Sequence, residues 1–182
     1  MNRTARTIGL VLISIAMIAF IAGELIPLFT ASSPKASRPA ATRTQTNDPA
    51  ASQGPSFTHE ADGLFTRELD TIYQCRVELA ESPQEIQLGM MYRKTMDADM
   101  GMLFMMPRNE MQSFWMRNTY VSLDIVYIGT DNRIVSIQRN ARILNDTPLP
   151  SEGPADKVLE LPGGTCDAHD IQSGDLWHWA RL

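Results

Sequence analysis

Six consecutive residues, Leu123 to Ile128 (LDIVYI), constrain the fold more than any other stretch of this chain. Side chains alternate along a strand, so Leu123, Ile125 and Tyr127 take one face, and Asp124, Val126 and Ile128 the other. Apart from Asp124, both faces are apolar. Such a strand belongs in the middle of a sheet that is covered on both sides. Asp124 is then drawn partly into the interior, where a carboxylate needs donors or a counter-charge.

The flanking sequence repeats short strand patterns separated by turn residues. Tyr73 to Ala80 alternates, with Tyr73, Cys75, Val77 and Leu79 on one face and Gln74, Arg76 and Glu78 on the other, as in a half-buried strand. Ser82-Pro83-Gln84-Glu85 joins a hydroxyl N-cap, a first-position proline and a glutamate three residues after the cap. This capping box predicts a short helix through Met90. Gly89 near its end suits a C-cap or a close packing contact. Asp97 to Asp99 reads as a turn, Met102 to Met106 as a strand covered on both faces, Pro107 to Glu110 as a turn, and Met111 to Arg117 as a strand. Gly129 to Asn132 connects a hairpin to Arg133–Gln138. A long loop, Asn140 to Ala155, precedes a strand at Lys157–Leu161. A turn at Pro162–Gly164, a helical turn near Ala168 and a last strand at Leu176–Trp179 complete the pattern. The sum is a mainly β domain, a compact sandwich or barrel with one or two short helices.

Residues 1–56 cannot contribute to such a core. Ile8 to Phe29 is an apolar reach of 22 residues, with Glu24 its one charge, close to the roughly 20 that span a bilayer. Arg3 and Arg6 before it favour an inside N-terminus. A retained anchor over 1–29 is one reading. A cleaved signal is the other, although Phe20 and Ile21 leave only Thr30-Ala31-Ser32 as a weak cleavage site. Residues 30–56 contain four prolines and almost no large apolar side chain, the composition of a disordered linker. The expected organisation is a globular domain over 57–182, held at the outer (periplasmic or extracellular) side of the cytoplasmic membrane. That domain carries 11 basic and 19 acidic side chains, a net charge of −8. Nucleic acid is therefore disfavoured as a partner, because phosphate backbones require clustered Lys and Arg.

Several residues are candidates for a site. Asp124 and Glu160 are carboxylates set in apolar strands, and Arg93, Arg117, Asn118 and Thr119 are available donors. Trp115 stands beside them in FWMRNT, as in the wall of a sugar or peptide cleft. Either these groups form a ligand-binding cleft of Arg93, Trp115, Asn118, Thr119, Asp124 and Glu160, or they pin loops to the sheet. Cys75 and Cys166, the only cysteines, would form a disulfide in an oxidising compartment if they approach each other. Residues Gly89–Ile128 hold nine of the eleven methionines. Thioethers select Cu(I), with Met100, Met102, Met105, Met106 and Met111 the first candidates, but methionine also fills irregular cores. The cysteines and histidines have no zinc spacing. P-loop, nucleophile-elbow and dinucleotide fingerprints are absent from the sequence, and no resident cofactor is expected.

Six blocks, in order, give a family resemblance: VELAESPQEIQLGMMYR (Val77 to Arg93), GMLF (Gly101 to Phe104), FWMRNT (Phe114 to Thr119), SLDIVYI (Ser122 to Ile128), VLELPGGT (Val158 to Thr165) and SGD (Ser173 to Asp175). Over Arg76 to Leu182 the chain resembles the bacterial and archaeal domain of unknown function 192 family. The resemblance implies a compact, mainly β domain, often behind a signal or anchor, and implies no established reaction. Met91, Met102 and Met116 fall within the family blocks, which suggests packing roles. Ser122 stands where the family commonly has Pro, and the two cysteines are not part of its pattern.

Three functions remain open on the sequence. The first is a non-enzymatic, membrane-tethered module that binds a small ligand or envelope partner through the polar cleft. The second is a hydrolase of an envelope polymer using Asp124 and Glu160 as acid and base, which requires both to face one cleft. The third is a Cu(I)-binding protein using its methionines.

Overall fold

The computed structural model describes residues 54–182. The anchor or signal segment (1–29) and all but the last three residues of the linker (30–56) lie outside them. No helix among the described residues is long and apolar enough to cross a membrane.

Seven strands and two short helices follow one another: β1 (Ala61–Arg67), β2 (Asp70–Ala80), α1 (Pro83–Leu88), β3 (Met100–Phe114), β4 (Leu123–Ile128), β5 (Ile134–Ala141), β6 (Leu149–Pro162), α2 (Thr165–Ala168) and β7 (Leu176–Arg181). The strands form one sheet in the order β5-β4-β6-β3-β2-β1-β7. Only β2 and β3 pair in parallel, with α1 in the crossover between them. The edge strands approach each other through an Arg133–Leu176 bridge, with the Trp177 amide donating to the Asn132 carbonyl at 2.8 Å. The sheet is thus curled into a half-barrel, the form taken by the expected sandwich or barrel.

The curl gives the sheet two different faces. Trp177 and Phe65 from one edge and Ile134 from the other share an inner cluster with Val77, Leu79, Leu103, Val126, Ile128, Leu159 and Leu161. On the outer face, Met102, Phe104, Ile125, Tyr127 and Val158 pack beneath Ile86, Met90, Phe114 and Met116. Strand β4 lies between β5 and β6, fully buried from end to end, as its two apolar faces require.

Helix α1 forms as its sequence dictates. The Ser82 side chain accepts from the Glu85 amide, and the Glu85 carboxylate accepts from the Ser82 amide at 2.8 Å, closing the capping box. Gly89 ends the helix at φ 47°, and a Cβ there would stand 3.1 Å from the Phe104 ring.

Four expectations need correction. β1 was not anticipated, because two of its three inward positions are the small residues Ala61 and Gly63. Residues Met102–Met106 and Met111–Phe114 belong to one long strand, β3, which ends before Trp115–Arg117, and Pro107–Glu110 does not turn the chain back. Instead Met106 to Asn109 bulge opposite the single residue Asp156 of β6, a place where proline's missing N–H costs no ladder bond. The second half of the expected 140–155 loop is strand β6. Its Pro150 and Pro154 face irregular register, and the Gln112 amide donates to Ser151 Oγ at 3.0 Å instead of to the ladder. Finally, Cys75 and Cys166 are free thiols rather than a disulfide. Both are buried members of the inner cluster, where a thiol packs as a small apolar group, and burial pushes the Cys75 thiol up to about 12.

Gly63 shows how tightly the inner face is filled. A Cβ at this position would lie 1.9 Å from the ring of Trp177, which is itself fully buried and packs against Phe65 with the rings tilted by 47° and their centroids 4.7 Å apart. Gly63→Ala is expected to destabilise the fold by roughly 1–3 kcal/mol. Urea denaturation followed by tryptophan fluorescence measures this, and an unchanged midpoint would show that Trp177 can move without cost.

Candidate functional site

Asp124 is fully buried, and its carboxylate is spoken for. Oδ1 accepts from the Asn140 amide and Oδ2 from the Cys166 amide, each at 2.7 Å. Both donors arise from local irregularity. Opposite Asp124, β5 places two residues against one, and Asn140 adopts a left-handed φ of 49°. Helix α2 begins at Gly164, which has no side chain to cap it. Asp124 supplies that cap from a different strand, so β4, β5 and α2 are tied at one carboxylate.

The register also separates the two carboxylates expected to cooperate. Asp124 is paired with Leu161, and Glu160 with Ile125. Directly paired residues project to the same side of a sheet, so Asp124 points to the inner face and Glu160 to the outer. They cannot act on one substrate, which removes the hydrolase reading built on them.

Glu160 stands in a row that crosses four strands. Its neighbours by register are Met102, then Glu78 on one side, and Ile125 on the other. Arg93, from the loop after α1, lies over this row and is 6% exposed. Its Nη1 and Nη2 donate to the two oxygens of Glu78, both at 2.7 Å. This bidentate geometry leaves Arg93 engaged with Glu78 alone. Glu160 Oε2 and Arg93 Nε find no hydrogen-bond partner among the described residues. Burial raises the Glu160 carboxyl to about 8, against the opposing pull of the Arg93 charge. Glu160 is therefore a neutral acid at pH 7, able both to donate and to accept.

Two loops roof this row. The Tyr92 amide donates to the Asn118 carbonyl at 2.8 Å, and Asn118 Nδ2 donates to the Tyr92 hydroxyl at 3.0 Å. Both residues hold left-handed φ values, 67° and 53°. At Glu160 is a small cavity of about 40 Å³ walled also by Met90, Phe104, Phe114, Trp115 and Thr119, among others. Leu88, Met91 and Trp115 also line an open groove of about 450 Å³ with Tyr92 and Arg117. Trp115 is 47% exposed. The Arg117 guanidinium stacks on it at 4.2 Å while donating to both carboxylate oxygens of Asp146 at 3.1 Å.

The structure thus gathers Arg93, Trp115, Asn118, Thr119 and Glu160 at one end of α1 and leaves Asp124 out. Glu78 and Tyr92 belong to the site and were missed. Glu78 alternates with Gln74 and Arg76 like any solvent-facing residue, and only the loop folded over it makes it buried. Among the described residues, no group of His, Cys, Asp and Glu could hold a metal ion. The five candidate methionines are scattered. Met105 packs on the inner cluster, Met106 on the outer, and Met111 is exposed. Met100 and Met102 line a separate cleft with Met90 and Met96.

A curled β domain with a buried Arg–Glu pair, an unpaired neutral glutamate and an exposed tryptophan at the rim defines a class of small sheet domains with a polar pit under a loop roof. The chain belongs to the domain of unknown function 192 family, described as an uncharacterized ACR, whose profile matches residues 65–179. Among curated proteins, none shows a significant match. Two crystal structures are similar at 34% identity and a TM-score of 0.64. One, from Sinorhizobium meliloti 1021 and described as a proposed transcription regulator, covers 69% of this chain and 96% of its own. The other, a protein of unknown function from Novosphingobium aromaticivorans DSM 12444, covers 71% of this chain and 96% of its own.

Two outcomes test these assignments. Asp124→Asn places an amide N–H against one of two backbone donors. It is expected to cost roughly 2–4 kcal/mol in urea unfolding, with accelerated hydrogen exchange at Asn140 and Cys166. Glu160 behaves in the opposite sense. Its folded value of about 8 lies above the ordinary 4.5, so between those pH values the folded chain keeps a proton that the unfolded chain releases. Stability therefore falls as pH rises through that window. Glu160→Gln is expected to match the wild type at pH 4 and to exceed it by roughly 2–4 kcal/mol at pH 9. A difference that does not change with pH would contradict the assignment.

Proposed function

We propose that this chain is a non-enzymatic binding module, held at the outer face of the cytoplasmic membrane by its apolar N-terminal segment. Its ligand or envelope partner rests an apolar flank on the Leu88, Met91, Tyr92 and Trp115 groove and inserts one polar group towards Glu160. The observation that carries this reading is Glu160 itself, a buried acid with an unpartnered oxygen beside a rim tryptophan. Unpaired buried polar groups are costly, and a ligand donor would remove that cost. The cavity at Glu160 holds no more than one functional group or a water, whereas the groove outside has the size of a small-ligand site. Exposed Trp, Tyr and Arg are also the side chains that anchor protein interfaces.

A ligand with an amine or amide head and an apolar body suits this arrangement. An alkylammonium arriving at Glu160 would form an ion pair with its carboxylate as the Glu160 proton is released to solvent, so binding would strengthen as pH rises towards 8. The regulator description belongs to the Sinorhizobium protein. For this domain a net charge of −8 argues for a partner other than DNA.

The test is a screen of small amines, amides and short peptides by NMR on the full-length protein in detergent. Hits are expected to shift the Trp115 indole and the Thr119 amide together, and to weaken at least tenfold in both Trp115→Ala and Glu160→Gln. Hits that ignore both substitutions would sink the proposal. The tether is checked separately by membrane fractionation and by protease access to the domain from the outer side.

A further inference from the structure

Four methionines meet in one place, and of these only Met90 also walls the cavity at Glu160. Met90, Met96, Met100 and Met102 line a cleft of about 270 Å³ between the loop after α1, the start of β3 and residues Gly54 to Phe57. Met100 and Met102 are two apart on β3 and so project from the same face. Met90 follows the end of α1, and Met96 comes from the loop before β3. Met90 and Met102 are each 4% exposed, and Met96 and Met100 are partly exposed. The thioethers therefore run from the floor of the cleft to its mouth. Packing explains methionine on the floor. It also accounts for Met96, which packs on the outer cluster, but not for Met100 at the solvent-facing rim.

We propose that this cleft binds a single Cu(I) ion through thioether sulfurs. Thioethers are soft, uncharged donors that prefer Cu(I) to the hard cations Mg²⁺ and Ca²⁺. The charges around the cleft do not oppose a monovalent cation. Arg93, which also lines it, is neutralised by its bidentate pair with Glu78. Asp97, on the same wall, is likewise paired, with Arg76 Nη2 at 3.6 Å from its Oδ2. Thioethers carry no proton at ordinary pH, so copper does not have to displace one, and the site keeps its affinity in acid where thiolate or imidazole ligands fail. The site uses neither cysteine nor histidine, and this separates it from zinc and from Cu(II) centres.

The experiment titrates the full-length protein in detergent, without oxygen, with Cu(I) buffered by a chromophoric chelator. In parallel, Ag(I) is added as a redox-inert analogue to protein labelled with ¹³C at the methionine methyls. One equivalent of Cu(I) is expected to be withdrawn from the chelator at pH 7 and at pH 5. The methyl signals of Met90, Met96, Met100 and Met102 should move together with Ag(I). Met96→Leu and Met100→Leu, at the rim where folding is least affected, are expected to weaken binding at least tenfold. Met17→Leu, Met105→Leu and Met111→Leu should leave it unchanged. Absence of competition, binding that disappears at pH 5, or equal weakening by Met111→Leu would each overturn the proposal. Because Glu160→Gln does not touch this cleft, copper binding in that variant keeps the two sites' outcomes separate.

Discussion

The carboxylate of Asp124 is the contact on which the arrangement of the sheet depends. It is one residue in the central strand, yet it satisfies two backbone amides that have no partner in any ladder. One belongs to the bulge that lets β5 leave the regular register, and the other to the first turn of α2. Without it, the amide of the β5 bulge and that of a helix start lacking a side-chain cap would each be left without an acceptor. Hydrogen bonds to a carboxylate are among the stronger ones available to a protein, and the one from the Cys166 amide is made out of contact with solvent. The cost of burying the charge is offset because both of its oxygens are used.

Glu160 gives the opposite case on the opposite face. The outer row contains two carboxyl groups, Glu78 and Glu160, and one guanidinium, Arg93. The planar fork of Arg93 is fully committed to Glu78, so its charge reaches Glu160 only at a distance. Desolvation then outweighs attraction and the acid is held neutral. A buried ion pair contributes little net stability once desolvation is counted. Its structural effect is positional: it fixes the loop bearing Arg93 over the sheet, and with it Tyr92, which is hydrogen-bonded to Asn118 through both backbone and side chain.

Much of this order is written locally in the sequence. LDIVYI has no solvent-tolerant face, so β4 appears with the expected bounds. The Ser82–Glu85 box starts α1 because both reciprocal bonds lie within four residues. What sequence alone could not show depends on partners far along the chain. β1 looks weak because Gly63 is small, and it is small because Trp177, more than a hundred residues later, fills its space. Glu78 looks exposed because alternation reports which residues share a face and not whether a loop will cover that face. Asp124 and Glu160 look like a pair because both are acids in apolar strands. Only the register of β4 on β6 shows that they point in opposite directions.

The same register explains why the two proposed sites stay distinct although they adjoin. Met102 lies between Glu78 and Glu160 in the outer row, and Arg93 covers the Glu78 end. Met102 itself therefore forms the partition. On one side, the thioethers face Gly54 to Phe57. On the other, Glu160 lies under Trp115 and Thr119. Gly54 closely approaches the loop that carries Arg93, since a Cβ there would stand 2.0 Å from the Tyr92 carbonyl. The backbone leading into the domain is thereby seated against the loop that carries both Arg93 and the roof. A change in the path of that leading segment has to be accommodated by Tyr92 and Arg93, the residues that shape both sites.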